Sequence, residues 1–428
     1  MLARDRLERA LERIAEASGE GGRAFLTVYE DAARGAADAA DLRAREGRTL
    51  GPLDGTIVSI KDLFDVAGEA TRAGSTVLAS APPATSDAPV VQRLRQAGAV
   101  IVGKTNMSEF AFTGVGANPH YGTPANPADR TRVPGGSSSG AAVSAADAMC
   151  EIAIGTDTGG STRIPAALCG IVGFKPTKSR VPTDGAYPLS PTLDSVGPIA
   201  ASVELCAKAD AVLAGERPWN LEPAAVGDLR FGILGGEPFT ELDDTVAARF
   251  EAAITRLRSS GAQLSNAKIA TLEEMARVNR VATIATAEAY RIHERQIAGH
   301  GDEYDPFIRR RIEGGRAVSV VEYADMLATR DKLAREMDSR ISAFDALILP
   351  TTPIVAPTIA EVSDPEGFKV ANRLLLRNTA IANFFDLCAI SVPVAGDGLP
   401  AGLMLFARHG NDRQLLRIAA GVERLLLG

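Results

Sequence analysis

The chain has 428 residues, 46% of them hydrophobic and 23% charged, with 46 Lys+Arg against 53 Asp+Glu and a formal net charge of −7. That balance excludes a mostly disordered chain, and an acidic protein without a basic block is a poor holder of a phosphate backbone or an anionic membrane. The four cysteines (Cys150, Cys169, Cys206, Cys388) have no CxxC spacing, and the four histidines are scattered singly, so neither a disulfide framework nor a zinc site is expected.

In chain order, residues 2–17 place Leu7, Leu11 and Ile14 on one face of an amphipathic helix, with no apolar leader before it. An Ala-rich helix is expected over Asp31–Glu46, ending at Gly47. Thr56–Ile60 and Ala99–Val102 read as buried strands, and Pro89–Gly98 between them reads as a helix closed by glycine. That order predicts an α/β unit with parallel pairing. Residues 114–140 are loop-like, and 151–154 form a short strand. The strand–helix–strand pattern returns over 229–269, with its helix at Thr245–Ser260. Residues 270–340 are mostly helical and charged, a side layer or cap. Asp345–Pro350 is a strand, Thr379–Val394 is mainly apolar, and Asp412–Leu427 is an amphipathic terminal helix. No stretch approaches the roughly 18 apolar residues of a membrane span. One large α/β domain over 1–428, in the cytoplasm, is the simplest expectation.

Three short motifs point elsewhere. Gly98–Thr105 matches the phosphate-loop pattern GxxxxGK followed by Ser or Thr, which makes a nucleotide binder the rival from another class. That loop needs a strand before its first glycine and a helix after its lysine, whereas here the inner residues are themselves the strand. Gly136–Gly140 matches GxSxG, but a proline-containing loop precedes it instead of a strand. Ser265–Lys268 matches SxxK without the motifs that accompany it elsewhere.

Three segments carry chemistry together. Gly51–Asp62 runs an apolar strand into Lys61. Pro134–Gly140 is a Gly/Ser run around Ser137. Gly155–Ala166 holds a second Gly/Ser turn ending at Ser161. With GKTNMSEF (103–110), YGTPANP (121–127), CGIVGFKPT (169–177), LDSVGP (193–198), ALILPTTP (346–353) and LPAGLMLFA (399–407), they resemble the amidase signature family of Ser-Ser-Lys amide hydrolases. The resemblance runs from about residue 25 to the C-terminus and is densest over 51–200.

It implies a large twisted mixed β-sheet covered by helices on both faces. It also implies Ser161 as nucleophile, Ser137 as a bridging serine held by a cis peptide bond, and Lys61 as base. The oxyanion hole falls on the backbone of Thr158, Gly159, Gly160 and Ser161, with Ser138 supporting Lys61. Met107, Tyr121 and Gly135 are expected at the substrate. Asp157 and Arg163 flank the nucleophile, and two readings stand: an ion pair stiffening the loop, or Arg163 meeting a substrate carboxylate. The chemistry needs these residue types. A serine must lose its proton as it attacks, and burial brings a lysine from its ordinary pKa of ~10.4 toward 7–8, where it accepts one.

The function expected is hydrolysis of a small-molecule amide, without metal or cofactor, nucleic acid or membrane. A homodimer is the assembly common among such relatives. The alternatives are the glutaminase subunit of a tRNA-dependent amidotransferase and a carbamate- or urea-type hydrolase. Ser108 stands where the amidotransferase subunits commonly carry Asp.

Overall fold

The computed structural model describes residues 1–427. Eleven strands form one sheet: β1 (Phe25–Val28), β2 (Ile57–Lys61), β3 (Val100–Thr105), β4 (Ile152–Thr156), β5 (Val172–Lys175), β6 (Val196–Ala200), β7 (Arg230–Leu234), β8 (Gln263–Ala267), β9 (Ala346–Pro350), β10 (Cys388–Pro393) and β11 (Gly402–Ala407). Their spatial order is β1-β3-β2-β4-β6-β5-β10-β11-β9-β7-β8. The sheet is mixed. β2 pairs in parallel with β3 and β4, and β7 pairs in parallel with β8 and β9, as both strand–helix–strand patterns predict. The strands between those two parallel groups run antiparallel.

Helices cover both faces, which is why the central strands are buried throughout and read as unbroken apolar runs. Side chains alternate across a strand. On β2, Ile57 packs with Leu7, Leu11, Ala33 and Ala37 of the N-terminal helices Ala3–Ala15 and Glu30–Arg45. Val58 and Ile60 belong to a different core, with Val91 and Leu94 of Pro89–Gln96, Cys206 of Val203–Ala214, and Leu415 of Asp412–Leu427. All four cysteines are buried and unpaired.

Strand β3 extends to Thr105, three residues beyond its expected end, and carries Lys104 inside. Lys104 is 1% exposed and lies 3.3 Å from Asp62. The phosphate-loop match is therefore a core strand with an internal ion pair, not a loop with free amides. Residues 270–340 form helices Thr271–Val278, Ile284–His300, Pro306–Glu313 and Val320–Arg340. Among the described residues, no helix is long and apolar enough to cross a membrane.

Candidate active site

Lys61 is the last residue of β2, on the face it shares with Ser59. Ser59 Oγ lies 3.0 Å from Ser144 Oγ of helix Ser139–Ala146, so this face of β2 points under that helix. Lys61 Nζ donates to Ser137 Oγ at 2.8 Å, just before the helix, and to Thr156 Oγ1 at 2.9 Å, at the end of β4. Neighbouring parallel strands thus bring residues 61 and 156 together. Lys61 is wholly buried, and that desolvation pulls its pKa down to about 7 against the opposing pull of Asp157 and Asp194. The Gly136–Ser137 peptide is cis. Ser138 donates from Oγ to the Thr156 carbonyl at 3.3 Å rather than to Lys61.

The turn after β4 carries Ser161, and Asp157 organises it. Burial alone would raise this carboxyl, but the Arg163 guanidinium beside it holds it well below the usual carboxylate range. Asp157 Oδ1 accepts from Gly160 N at 2.8 Å, Arg163 Nη2 at 2.8 Å and Asn383 Nδ2 at 2.9 Å. Its Oδ2 accepts from Thr162 N at 3.1 Å, Thr162 Oγ1 at 2.9 Å and Arg163 Nε at 3.0 Å. Arg163 also donates to the Thr379 carbonyl and to Asn383 Oδ1. Both side chains of the pair are 0% exposed. Of the two readings of Arg163, this geometry matches the ion pair: its donors are taken inside the protein and none is offered to a substrate.

The family resemblance places four backbone amides at an oxyanion. The Gly160 N–H is already engaged by Asp157. Among the described residues, no protein acceptor takes the N–H of Thr158, Gly159 or Ser161. Gly160 has φ 135°, and a Cβ there would run into Thr379 Oγ1, so only glycine fits. Thr158 Oγ1 donates to Asp194 Oδ1 at 2.6 Å. Burial raises the Asp194 carboxyl to about 6 despite that bond and two from backbone N–H groups.

Ser161, Thr158 and Gly159 line a cavity of about 110 Å³ with apolar walls that include Phe112, Leu189, Leu193, Ile284, Leu376 and Phe384. A larger cleft of about 1140 Å³ shares Met275, Asn279, Thr283, Leu376 and Ala380 with it. One wall therefore comes from the helical layer at 271–313. Another comes from the turn at Phe110 and Ala111, both left-handed (φ 49° and 58°), which brings Ala111 and Phe112 to the cavity. Met107, Tyr121 and Gly135, expected at the substrate, do not line it. Met107 is wholly buried in the core. Tyr121 donates its hydroxyl to the Ser75 carbonyl. Gly135 packs closely on Pro165 and Leu168.

Four residues at this site escape a reading of the sequence: Thr156, Asp194, Asn383 and Arg311. Thr156 and Asp194 lie inside motif blocks, which is the signal that could have singled them out. Asn383 and Arg311 carry no local pattern and arrive through tertiary contact alone. Among the described residues, no cluster of three or more His, Cys, Asp or Glu side chains could hold a metal ion.

The fold and this arrangement of Lys61, Ser137 and the 158–161 turn meet a family of C–N amide hydrolases: the sequence profile of the Amidase family matches residues 5–416. The chain belongs to the amidase family. It is 38% identical to the 2-amino-5-chloromuconic acid deaminase of Comamonas testosteroni over 94% of this chain and 88% of that protein. It is 35% identical to a glutamyl-tRNA(Gln) amidotransferase subunit of Symbiobacterium thermophilum over 98% of this chain and 92% of that one. A crystal structure of an amidase superposes with a TM-score of 0.89 at 34% identity, covering 100% of this chain and 96% of the other.

Proposed function

We propose that the protein hydrolyses a small-molecule carboxylic amide through an acyl-enzyme on Ser161, with Ser137 as proton relay and Lys61 as base. The observation that carries this reading is the 2.8 Å contact between the buried Lys61 Nζ and Ser137 Oγ, beside the turn that presents Ser161 to a cavity. A hydroxyl both donates and accepts, so Ser137 passes the Ser161 proton to neutral Lys61. As the proton leaves, Ser161 Oγ bonds to the substrate carbonyl carbon. The negative oxygen of the tetrahedral intermediate meets the amides of Gly159 and Ser161, with Thr158 beside them. One such donor is worth about 3–4 kcal/mol.

Collapse breaks the C–N bond. The proton held by Lys61 returns through Ser137 to the leaving nitrogen, which departs as ammonia or an amine. Water then attacks the ester, gives its proton to the same relay, and releases the carboxylic acid and the Ser161 hydroxyl. Asp157 and Arg163 serve this by holding the turn, not by touching substrate.

The test is ammonia release by the purified chain alone from aliphatic and aryl amides, glutamine and a carbamate. Turnover lost in Ser161→Ala, and formation of a hydroxamate when hydroxylamine replaces water, supports the acyl-enzyme. Turnover that survives Ser161→Ala overturns it. Hydrolysis confined to glutamine would favour the glutaminase reading, which the 35% identity to an amidotransferase component keeps in view.

A further inference from the structure

Arg311 sits on helix Pro306–Glu313 and lines the same cavity of about 110 Å³ as Ser161. Its Nη1 is shut off from bulk solvent and has no hydrogen-bond partner. Its guanidinium lies over the Phe112 ring, 4.4 Å from the centroid, and forms no ion pair among the described residues. The contrast is local: Arg309, two residues earlier, pairs with both Asp302 and Glu313. Among the described residues no Asp or Glu lines the cavity, so Arg311 is its single charge. Burial without a counter-ion draws the Arg311 pKa down to about 10, still leaving it a cation at neutral pH.

A cation kept out of water without an anion is costly, and proteins keep such a group where a ligand supplies the missing charge. Arginine is suited to a planar carboxylate, which it grips with two parallel N–H donors. The other buried polar atom in the lining that lacks a partner is Asn279 Oδ1, a neutral acceptor. An ammonium group would find no counter-charge in this cavity.

We infer that Arg311 is the substrate's carboxylate anchor, and that the amide cleaved at Ser161 belongs to a short acid bearing a second carboxylate, as in a dicarboxylic acid monoamide. This rests on the reading of Ser161 as nucleophile. The carboxylate seated on Arg311 fixes one end of the acyl chain, and the apolar walls take the methylenes between. The amide carbonyl is then presented to Ser161, and hydrolysis releases ammonia and the dicarboxylate.

The experiment compares succinamate and glutaramate with butyramide and valeramide, their neutral counterparts, using the wild-type chain, Arg311→Lys and Arg311→Met. The wild type is expected to prefer the carboxylated amides by about 100-fold in kcat/KM. That ratio should collapse in Arg311→Met and fall to an intermediate value in Arg311→Lys, which keeps the charge but not the fork. A second arm measures binding of succinate and glutarate by calorimetry to wild type and Arg311→Lys, so the result does not depend on the methionine variant folding.

Ser161-dependent turnover without preference for the carboxylated amide overturns the inference and leaves the proposed reaction standing. Absence of turnover with dicarboxylate binding weakened by Arg311→Lys supports the anchor and counts against the reaction. Absence of both turnover and binding overturns the anchor.

Discussion

Lys61 shows how burial makes a base. Its stem and ammonium lie wholly inside, its pKa falls to about 7, and its two hydrogen-bond partners are hydroxyls, not carboxylates. Only the neutral amine accepts a proton, so kcat/KM on an uncharged amide should rise as pH passes about 7 and level off above it. A pH–rate profile checks this, and a flat profile between pH 6 and 8 would remove Lys61 from the role. The ionised Asp194 carboxylate favours the charged lysine. Asp194→Asn should therefore weaken that support and move the limb of the same profile to lower pH. Replacing Lys61 by Met should lower kcat by at least about 10³-fold, within the span general acid–base catalysis supplies.

At the scale of elements, the turn between β4 and helix Arg163–Cys169 is held from outside. Asp157 receives six hydrogen bonds, and Asn383 and Thr379, on helix Pro365–Phe384, close around Arg163. Removing one member leaves the other charge buried and alone. Arg163→Met should cost about 3–5 kcal/mol, read as a lowered melting temperature or loss of soluble protein. The double variant Asp157→Asn with Arg163→Met should recover part of that loss. Recovery of stability without recovery of activity would separate the fold-holding role from the placement of Ser161. Full stability in the single variant would show that the pair holds nothing.

At the scale of the molecule, the sheet interleaves distant segments. β5 lies between β6 and β10, so the motif-dense first half is completed by a strand from residues 388–393. Helix Pro365–Phe384 supplies the carbonyl and amide that grip Arg163. A fragment ending at residue 228 should therefore fail to melt cooperatively, although it contains Lys61, Ser137 and Ser161. A cooperative melt of that fragment would show that the second half of the sheet is dispensable.

Elements governed by local rules are legible in the sequence. β2 and β3 are largely apolar runs, helix Pro89–Gln96 opens on proline and is followed by Gly98, and the Gly/Ser turns announce Ser137 and Ser161 by residue type. The sequence is silent where tertiary context overrides propensity. β5 and β6 contain Gly173, Gly197 and Pro198, which weaken any strand signal, and they form because neighbours on both sides complete their pairing. Three facts of the site came from the folded chain alone: Gly160 gives its amide to Asp157, Met107 and Tyr121 lie away from the cavity, and Arg311 stands in it without a counter-charge. They depend on which side chains meet across hundreds of residues, and desolvation, which sets the charge of Lys61 and strands that of Arg311, exists only once they have met.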